Sequence, residues 1–349
     1  MHLDSLQLSV ESRGCTVEDR SPETEMYCLL CCIALFIIYK ICDWLVHRPI
    51  IDGIPSKYVL ITGCDTGFGN LLAQRLDRRG FQVIATCLTE EGQGNLRTQT
   101  SERLQTVHMD VTSDESIRRA FQEVKKMLPE DTGLWGLVNN AGVTAVGGPC
   151  DWHRREHYQK CFDVNVFGLV DVTIVFLPLI KKAQGRIVNV SSVVGRFAVS
   201  GAYSMSKFNV ECFSDGLRVI MKKFNVAVSI IEPAFFDTNM VSNDNMISPM
   251  EKLWNQLTPE VQEEYGREFF DKLLSDTRKV RKLCSPKTFL VVDAMEHALT
   301  SVRPRTRYAV GWQAKWFLLP LSMLPSMICD PIHMRLMNLG TPKMMQRLT

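Results

Sequence analysis

A doubly wound parallel α/β sheet with a helical lid and an N-terminal membrane anchor is predicted by three features of this sequence. Short apolar runs alternate with amphipathic helical stretches from Lys57 to Pro233, the rhythm of a parallel sheet covered on both faces. A glycine-rich turn joins the first strand to the first helix of that series. One continuous apolar run, residues 26–39, precedes all of it.

That run, MYCLLCCIALFIIY, comes first. As a helix it is about 21 Å long, and extension through Val46 brings it to about 31 Å, against ~30 Å of bilayer hydrocarbon. The extension takes in Lys40 and Asp43, close enough to one end to reach the interface. A secretory signal fits poorly, because the preceding residues are acidic and no small-x-small cleavage site follows. Residues 1–25 are therefore a tail, 26–46 the anchor, and 47–56 a linker broken by Pro49, Gly53 and Pro55. Lys40, His47 and Arg48 on the C-terminal side, against Glu18, Asp19, Glu23 and Glu25 before the run, place the main domain on the cytosolic side.

The alternation then begins. KYVLIT is a buried strand, GNLLAQRLDRRG a helix stopped by Gly80, FQVIATCL a second strand and LQTVHMDV a third. SDESIRRAFQEVKKM is a helix that opens on a serine cap, LWGLVN a fourth strand, and a long helix is predicted over roughly 155–182. GRIVNVS, the helix from Tyr203 to Phe224 and VAVSIIEP follow. After Pro233 the rhythm changes: residues 234–284 are helical with no strand, then VVDAMEHALT makes a helix and TRYAV a last strand.

Composition narrows the function classes. With 46% hydrophobic and 22% charged residues the chain is globular, and a net charge of +2 gives no reason to expect a nucleic-acid partner. Twelve scattered cysteines form no disulfide framework and suit a reducing compartment. Cys28 and Cys31 read C-x-x-C without a second pair at zinc spacing, in an apolar setting. His153, Glu156 and His157 match H-x-x-E-H, but the segment is dense in charge and no third ligand suggests itself, so no metal is expected. Asn189 to Ser191 form a glycosylation sequon on a buried strand, which discounts it.

Four motifs carry chemistry. TGCDTGFG spaces Gly63, Gly67 and Gly69 as G-x-x-x-G-x-G between strand and helix, where bare backbone lets a pyrophosphate approach the positive end of the helix. NNAG, closing the fourth strand with Asn140, Ala141 and Gly142, lies at the carboxyl edge that faces the ligand crevice. Asn165 is a poor helix former inside a predicted helix, and a buried one must find partners. Tyr203 and Lys207 are four apart on one helix face, below a strand that ends in Ser191 and Ser192.

In this order, TGxxxGxG, NNAG, a helical asparagine, a strand-end serine and YxxxK resemble the short-chain dehydrogenase/reductases over roughly residues 57–235, a Rossmann-like fold. ITGCDTGFGN, GLWGLVNNAGV, FLPLIKKAQGRIVNVSS, SKFNVECFSDGLR and PRTRYAVGW narrow the resemblance to the microsomal retinol and hydroxysteroid dehydrogenases, over about 57–330. That resemblance implies Tyr203 as acid/base, Lys207 as its activator and a binder of the nicotinamide ribose, Ser192 as carbonyl binder and Asn165 as holder of a relay water. It also implies a nucleotide site from Gly63, Asp65, Gly67, Phe68, Gly69, Cys87, Leu88, Asp110, Val111, Asn140, Ala141, Gly142 and Pro233, with Tyr203 and Lys207. One ammonium at ~5 Å in an effective dielectric of ~20 gives about 3.3 kcal/mol, so Lys207 together with an oxidised nicotinamide is expected to bring the phenol of Tyr203 towards neutrality.

Three departures from the family pattern bear on this. The stretch from Ser192 to Tyr203 is shortened, which keeps Ser191 as a fallback. The usual Pro-Gly is Pro233-Ala234, and Cys87 stands where an acid would grip the adenosine ribose. With no basic residue for a 2'-phosphate and Asp65 nearby, NAD is favoured over NADP.

The catalytic domain is expected over 57–311, with a substrate lid about 234–284 and a membrane-associating tail at 312–349. Phe235, Phe236, Met240 and Trp254 are the candidate substrate contacts. The reading is an NAD-dependent dehydrogenase of a lipophilic alcohol, a retinol or a hydroxysteroid, in the endoplasmic reticulum membrane. A nucleotide-binding protein without turnover and a dehydrogenase of a soluble substrate such as 3-hydroxybutyrate stand as alternatives, and a homo-oligomer is left open.

Overall fold

The computed structural model describes residues 22–199, 201–337 and 344; the expected N-terminal tail up to residue 21, Ser200 and most of the final twelve residues lie outside the described residues. The chain divides into a unit ending at Pro49 and a unit beginning at Ile50. The first holds one helix, α1 (Pro22–His47), whose apolar stretch Met26–His47 is wholly unburied. At 1.5 Å per residue those 22 residues span about 33 Å.

The second unit is built on a seven-stranded, all-parallel sheet in the order β3-β2-β1-β4-β5-β6-β7. The strands are β1 (Tyr58–Ile61), β2 (Gln82–Cys87), β3 (Leu104–His108), β4 (Gly136–Asn139), β5 (Arg186–Val190), β6 (Ala227–Pro233) and β7 (Arg307–Val310). Alternation along β1 divides the core. Val59 and Ile61 face a layer containing Leu72 and Leu76 of α2 (Gly67–Arg79). Leu60 faces Ile117 and Val124, which lie on the other side of the sheet. Between β2 and β3 the chain adds α3 (Glu90–Arg97), which hydrophobic periodicity missed because the segment is short and polar. α4 (Asp114–Met127), capped by Ser113 as expected, carries Ile117 and Val124.

The predicted long helix is three pieces: α5 (Arg155–Phe162), a π-helical turn Asp163–Gly168, and α6 (Leu169–Ala183). The stretch Arg155–Ala183 is apolar and long enough to cross a membrane. Its apolar face, however, is taken by the sheet: Val172, Phe176 and Ile180 are fully buried in the layer that holds Leu60. The π turn is pressed against the end of the β3 segment, where a Cβ on Gly168 would lie 2.8 Å from the Val111 carbonyl oxygen. α7 (Gly201–Met221) carries Tyr203 and Lys207, so both lie on a helix as predicted.

The segment expected to form the lid is helical: α8 (Asn243–Gln256), α9 (Pro259–Tyr265) and α10 (Arg267–Leu283). Its Ile247, Met250, Leu253, Trp254, Phe269, Phe270 and Leu274 form a core with Trp152, which comes from the stretch after β4. α11 (Phe289–Thr300) returns to the sheet with Val291, Met295 and Leu299. A second π-helical turn (Ala314–Leu318) and a helix over Ser326–Met337 follow β7.

Sheet order reverses between β1 and β4, so a crevice opens beyond their carboxyl ends, where the glycine turn and NNAG both lie. At the opposite edge the strands pack without slack: a Cβ on Gly185, just before β5, would fall 2.3 Å from the Trp135 carbonyl oxygen. Neither backbone can yield without moving a strand. Gly185→Ala is therefore expected to cost about 1–3 kcal/mol and lower Tm by several degrees; an unchanged thermal transition of the purified chain would show the edge to be softer than this.

Candidate active site

The glycine turn is fixed from the NNAG side. Thr62, which sequence reasoning passed over, accepts at Oγ1 from the backbone N–H of Asn140 (3.0 Å) and of Ala141 (2.9 Å). Asn140 Nδ2 returns two bonds, to the carbonyls of Thr62 (2.9 Å) and Gly63 (3.0 Å). The loops are so close that a Cβ on Gly63 would fall 2.8 Å from Ala141 Cα, and one on Gly69 2.4 Å from Asn140 Nδ2. Gly67 differs: with φ +68, a Cβ there would meet nothing within 4 Å. Gly67 thus borders open space, and Thr66 at the N-cap makes no side-chain cap bond, which leaves the positive end of α2 without a side-chain cap.

Asp65 answers the missing acid on the second strand. Its carboxylate accepts from Leu88 N (2.9 Å), Thr89 N (2.9 Å) and Thr89 Oγ1 (2.7 Å). The glycine turn thus reaches across and places a carboxylate at the end of β2. Cys87 is fully buried beneath, its thiol pushed up to about 12 by burial and by the charge of Asp65. Asp110 and Val111 sit just past β3; the Asp110 carboxylate accepts from Thr112 N (2.9 Å) and Thr112 Oγ1 (2.8 Å). Phe68 packs edge-on to Phe236, ring centres 6.0 Å apart, and ties the glycine turn to the start of the lid.

Tyr203, Lys207, Ser192 and Asn165 meet at the carboxyl ends of β4, β5 and β6. Ser192 stands near enough to the Tyr203 phenol to favour its ionised form, and Ser192 Oγ donates to the Pro233 carbonyl at 3.4 Å. Ser191, the fallback, points the other way: its hydroxyl donates to the Lys207 carbonyl at 3.4 Å, under α7. Strand alternation turns only one of two neighbouring serines towards the phenol. Lys207 is 4% exposed and donates through Nζ to the Val190 carbonyl at 2.9 Å. Its Nζ lies 5.6 Å from the Tyr203 ring centre, and beside Gly142.

Asn165 sits in the π turn, 1% exposed. Its Oδ1 accepts from Val143 N (2.8 Å), and its Nδ2 donates to Val143 O (2.9 Å), Ser206 Oγ (3.0 Å) and the Cys161 sulfur (3.3 Å). These bonds tie the loop after NNAG to α7. Ser206 in turn donates to the Tyr203 carbonyl at 2.7 Å. Ser206 and Cys161 escaped the sequence reading; the only signal was the place of Ser206 beside Lys207.

Of the expected substrate residues, Phe235 lies in the apolar cluster that includes Tyr203, with Ala234, Phe197, Leu318 and Leu319. Ala234 turns its side chain towards Gly311. Met240 is half-buried after β6. Trp254 packs among the helices that follow β6: it stacks on Phe270 (ring centres 4.6 Å, planes 11° apart) and is 5% exposed. His153 Nε2 is spent on the Val146 carbonyl (3.0 Å) and His157 Nδ1 on Arg154 N (2.9 Å), and no group of three or more metal donors occurs among the described residues.

Burial adds an opposing effect that the sequence does not display. Burial pushes the Tyr203 phenol up to about 12, and burial also brings Lys207 down to about 8. An ammonium 5.6 Å from the ring supplies about 3 kcal/mol in an effective dielectric of ~20, whereas moving a phenol from about 12 to neutrality takes about 7 kcal/mol. Lys207 alone leaves Tyr203 protonated, and a further positive charge must be adjacent for it to act as a base. Without ligand, the tyrosinate absorbance at about pH 10, where a solvated tyrosine is half ionised, is expected to match in the chain and its Tyr203→Phe variant. A one-tyrosine difference at that pH would mean the phenol is solvated.

Comparison with known proteins agrees with this geometry. A family model described as short chain dehydrogenase matches residues 57–247. The chain is 50% identical over 299 residues to 17-beta-hydroxysteroid dehydrogenase type 6 of Mus musculus, covering 85% of this chain and 94% of that one. It is 47% identical over 301 residues to retinol dehydrogenase 7 of Rattus norvegicus, covering 86% and 95%. A short-chain dehydrogenase from Streptomyces avermitilis superposes with a TM-score of 0.63 at 26% identity, over 82% of this chain and 98% of that one. With a sheet, a crevice and a Ser-Tyr-Lys-Asn constellation of this kind, the chain belongs to the short-chain dehydrogenase family.

Proposed function

We propose that this protein is a membrane-anchored dehydrogenase that oxidises, reversibly, the hydroxyl of a retinol or a hydroxysteroid, with NAD as its cofactor. The observation that carries the proposal is the Tyr203 phenol, held between the Ser192 hydroxyl and the Lys207 ammonium and walled on its other side by Phe235, Phe197 and Leu318. A polar pair set into an apolar wall suits a lipophilic alcohol. The names of the two relatives, one a hydroxysteroid and the other a retinol dehydrogenase, support the substrate class.

The residues divide the work. Ser192 and Tyr203 grip the hydroxyl oxygen, and Tyr203 takes its proton as the carbon is oxidised. Lys207 holds positive charge beside the phenol and favours the phenolate. Asn165 keeps the loop after NNAG and the start of α7 in register. The bound nicotinamide supplies the hydride acceptor and, when oxidised, the second positive charge that Tyr203 requires. Preference for NAD rests on Asp65, whose carboxylate at the end of β2 repels a 2'-phosphate, and on Leu88, which offers no cation there.

Membrane attachment rests on α1 and on the basic residues that follow it, which favour an endoplasmic reticulum anchor with the catalytic unit on the cytosolic side. Beyond β7, Trp312, Trp316, Met323 and Met327 are more than two-thirds exposed, and such side chains suit a shallow contact with lipid.

Incubation of the purified chain with NAD and retinol or a hydroxysteroid is expected to generate NADH. NAD binding without NADH across a substrate panel would instead support a binding protein that has lost turnover. Tyr203→Phe is expected to abolish turnover with NAD affinity nearly intact, and loss of both together would make Tyr203 structural. Leu88→Arg is expected to raise the NADP-to-NAD ratio of kcat/KM by about tenfold, equivalent to about 1.4 kcal/mol; an unmoved ratio would remove Asp65 and Leu88 from the argument.

A further inference from the structure

The edge of the sheet away from the crevice carries two cations and one indole. Lys57 precedes β1, Trp135 precedes β4 and Arg186 opens β5. The register pairs Val59 with Gly136 and Gly136 with Arg186, so the three side chains come together at the amino ends of three adjacent strands. The indole is fixed by its Nε1, which donates to the Leu299 carbonyl of α11 at 3.1 Å. Lys57 Nζ lies 3.8 Å from the ring centre, and the guanidinium carbon of Arg186 lies 4.7 Å from it. Arg186 is 7% exposed, and its Nε has no hydrogen-bond partner among the described residues. Among the described residues no carboxylate offsets either charge. Burial and Arg186 bring the Lys57 ammonium down, and burial brings Arg186 down to about 10, opposed by the Tyr308 phenol. That phenol is pushed up to about 12 by its own burial and is neutral at physiological pH.

We propose that Lys57, Arg186 and Trp135 form a binding site for a phosphate monoester, at the amino edge of the sheet. It shares no residue with the candidate active site, which lies at the carboxyl edge. A guanidinium stays charged in a protein, and a buried charge without a partner is costly. An aromatic face offsets part of that cost and supplies no countercharge. An anion from outside the chain supplies it. A phosphate monoester brings about two negative charges and three acceptor oxygens, enough for one guanidinium fork and one ammonium. A carboxylate brings one charge and leaves one cation unmatched. Both cationic centres lie against the same indole, a separation that one tetrahedral group, bonded at about 2.8 Å to each, can bridge. The same edge receives the chain that follows α1: Ile51 N donates to the Thr300 carbonyl at 2.8 Å, one residue beyond the carbonyl that holds Trp135. The monoester arrives either as the headgroup of an acidic phospholipid or free in solution, and the test separates the two sources.

The test is calorimetric titration of the full chain in non-ionic detergent, with NAD present to fill the crevice. Three probes are used: inorganic phosphate, short-chain phosphatidic acid, and short-chain phosphatidylcholine as the zwitterionic diester. One phosphate probe or both are expected to bind, one per chain, while phosphatidylcholine does not. Phosphatidic acid alone assigns the lipid headgroup, inorganic phosphate alone assigns a free phosphate, and binding of both assigns the phosphate group whatever carries it. Lys57→Gln is expected to weaken binding about tenfold, the scale of one charge-assisted hydrogen bond. Arg186→Lys keeps the charge, loses the fork and weakens it as well. Silence from both phosphate probes, equal binding of phosphatidylcholine, or an affinity that Lys57→Gln leaves unmoved would overturn the proposal. Should the buried Arg186→Lys variant not fold, Lys57 is only half-buried, and its variant, with an unchanged thermal transition, decides the matter alone.

Discussion

The seam between β5 and α7 is the constraint on which the rest of the site depends. Asn189 donates to Ser214 Oγ at 2.8 Å, Val190 accepts from Lys207 Nζ at 2.9 Å, and Ser191 donates to the Lys207 carbonyl at 3.4 Å. Each of these strand residues is buried, and a buried polar group left without its partner costs about 1–3 kcal/mol. Three such pairings along one strand leave the helix little freedom to slide or turn. The phenol is therefore placed by the requirement that every polar group in this layer be matched, more than by any single contact of its own.

The nucleotide side of the crevice obeys a different rule, steric exclusion. Gly63 and Gly69 are bare because Ala141 and Asn140 stand where their side chains would be. Thr62 and Asn140 then exchange hydrogen bonds across the gap, so the turn after β1 and the turn after β4 behave as one piece. Asp65 extends that piece sideways to the end of β2. The consequence is a stiff turn that carries the N-terminus of α2, left without a side-chain cap by Thr66.

The third side is apolar and is assembled from distant segments. Phe197 follows the β5 seam, Ala234 and Phe235 open the lid, and Leu318 and Leu319 come from beyond β7. The residues after β7 thus have two faces, Leu318, Leu319 and Leu321 turned inward and Trp312, Trp316 and Met323 turned outward. The lid is stiffened by its own aromatic cluster around Trp152, Trp254 and Phe270, which keeps the wall in place without drawing on the sheet.

Local chemistry was legible in the sequence wherever it repeats at short range. Strand and helix alternation, the glycine spacing, the serine cap of α4 and the four-residue step from Tyr203 to Lys207 each need only a few neighbouring residues to be recognised, and the fold follows from them. Three-dimensional packing decided the remainder. Nothing in the sequence near Asn165 announces a π turn, because that turn arises from the approach of Gly168 to Val111 and from the pull of Val143 on the side chain. The choice between Ser191 and Ser192 needed the strand's pleat, and the acid lost at Cys87 was found on Asp65, 22 residues earlier in sequence number. Burial, which a linear sequence does not display, pushes the tyrosine's phenol up, against the pull of the neighbouring ammonium. The sequence by itself determined which groups are present and on which elements; only the tertiary structure decided how dry they are and what faces them, because dielectric and distance are properties of the packed chain.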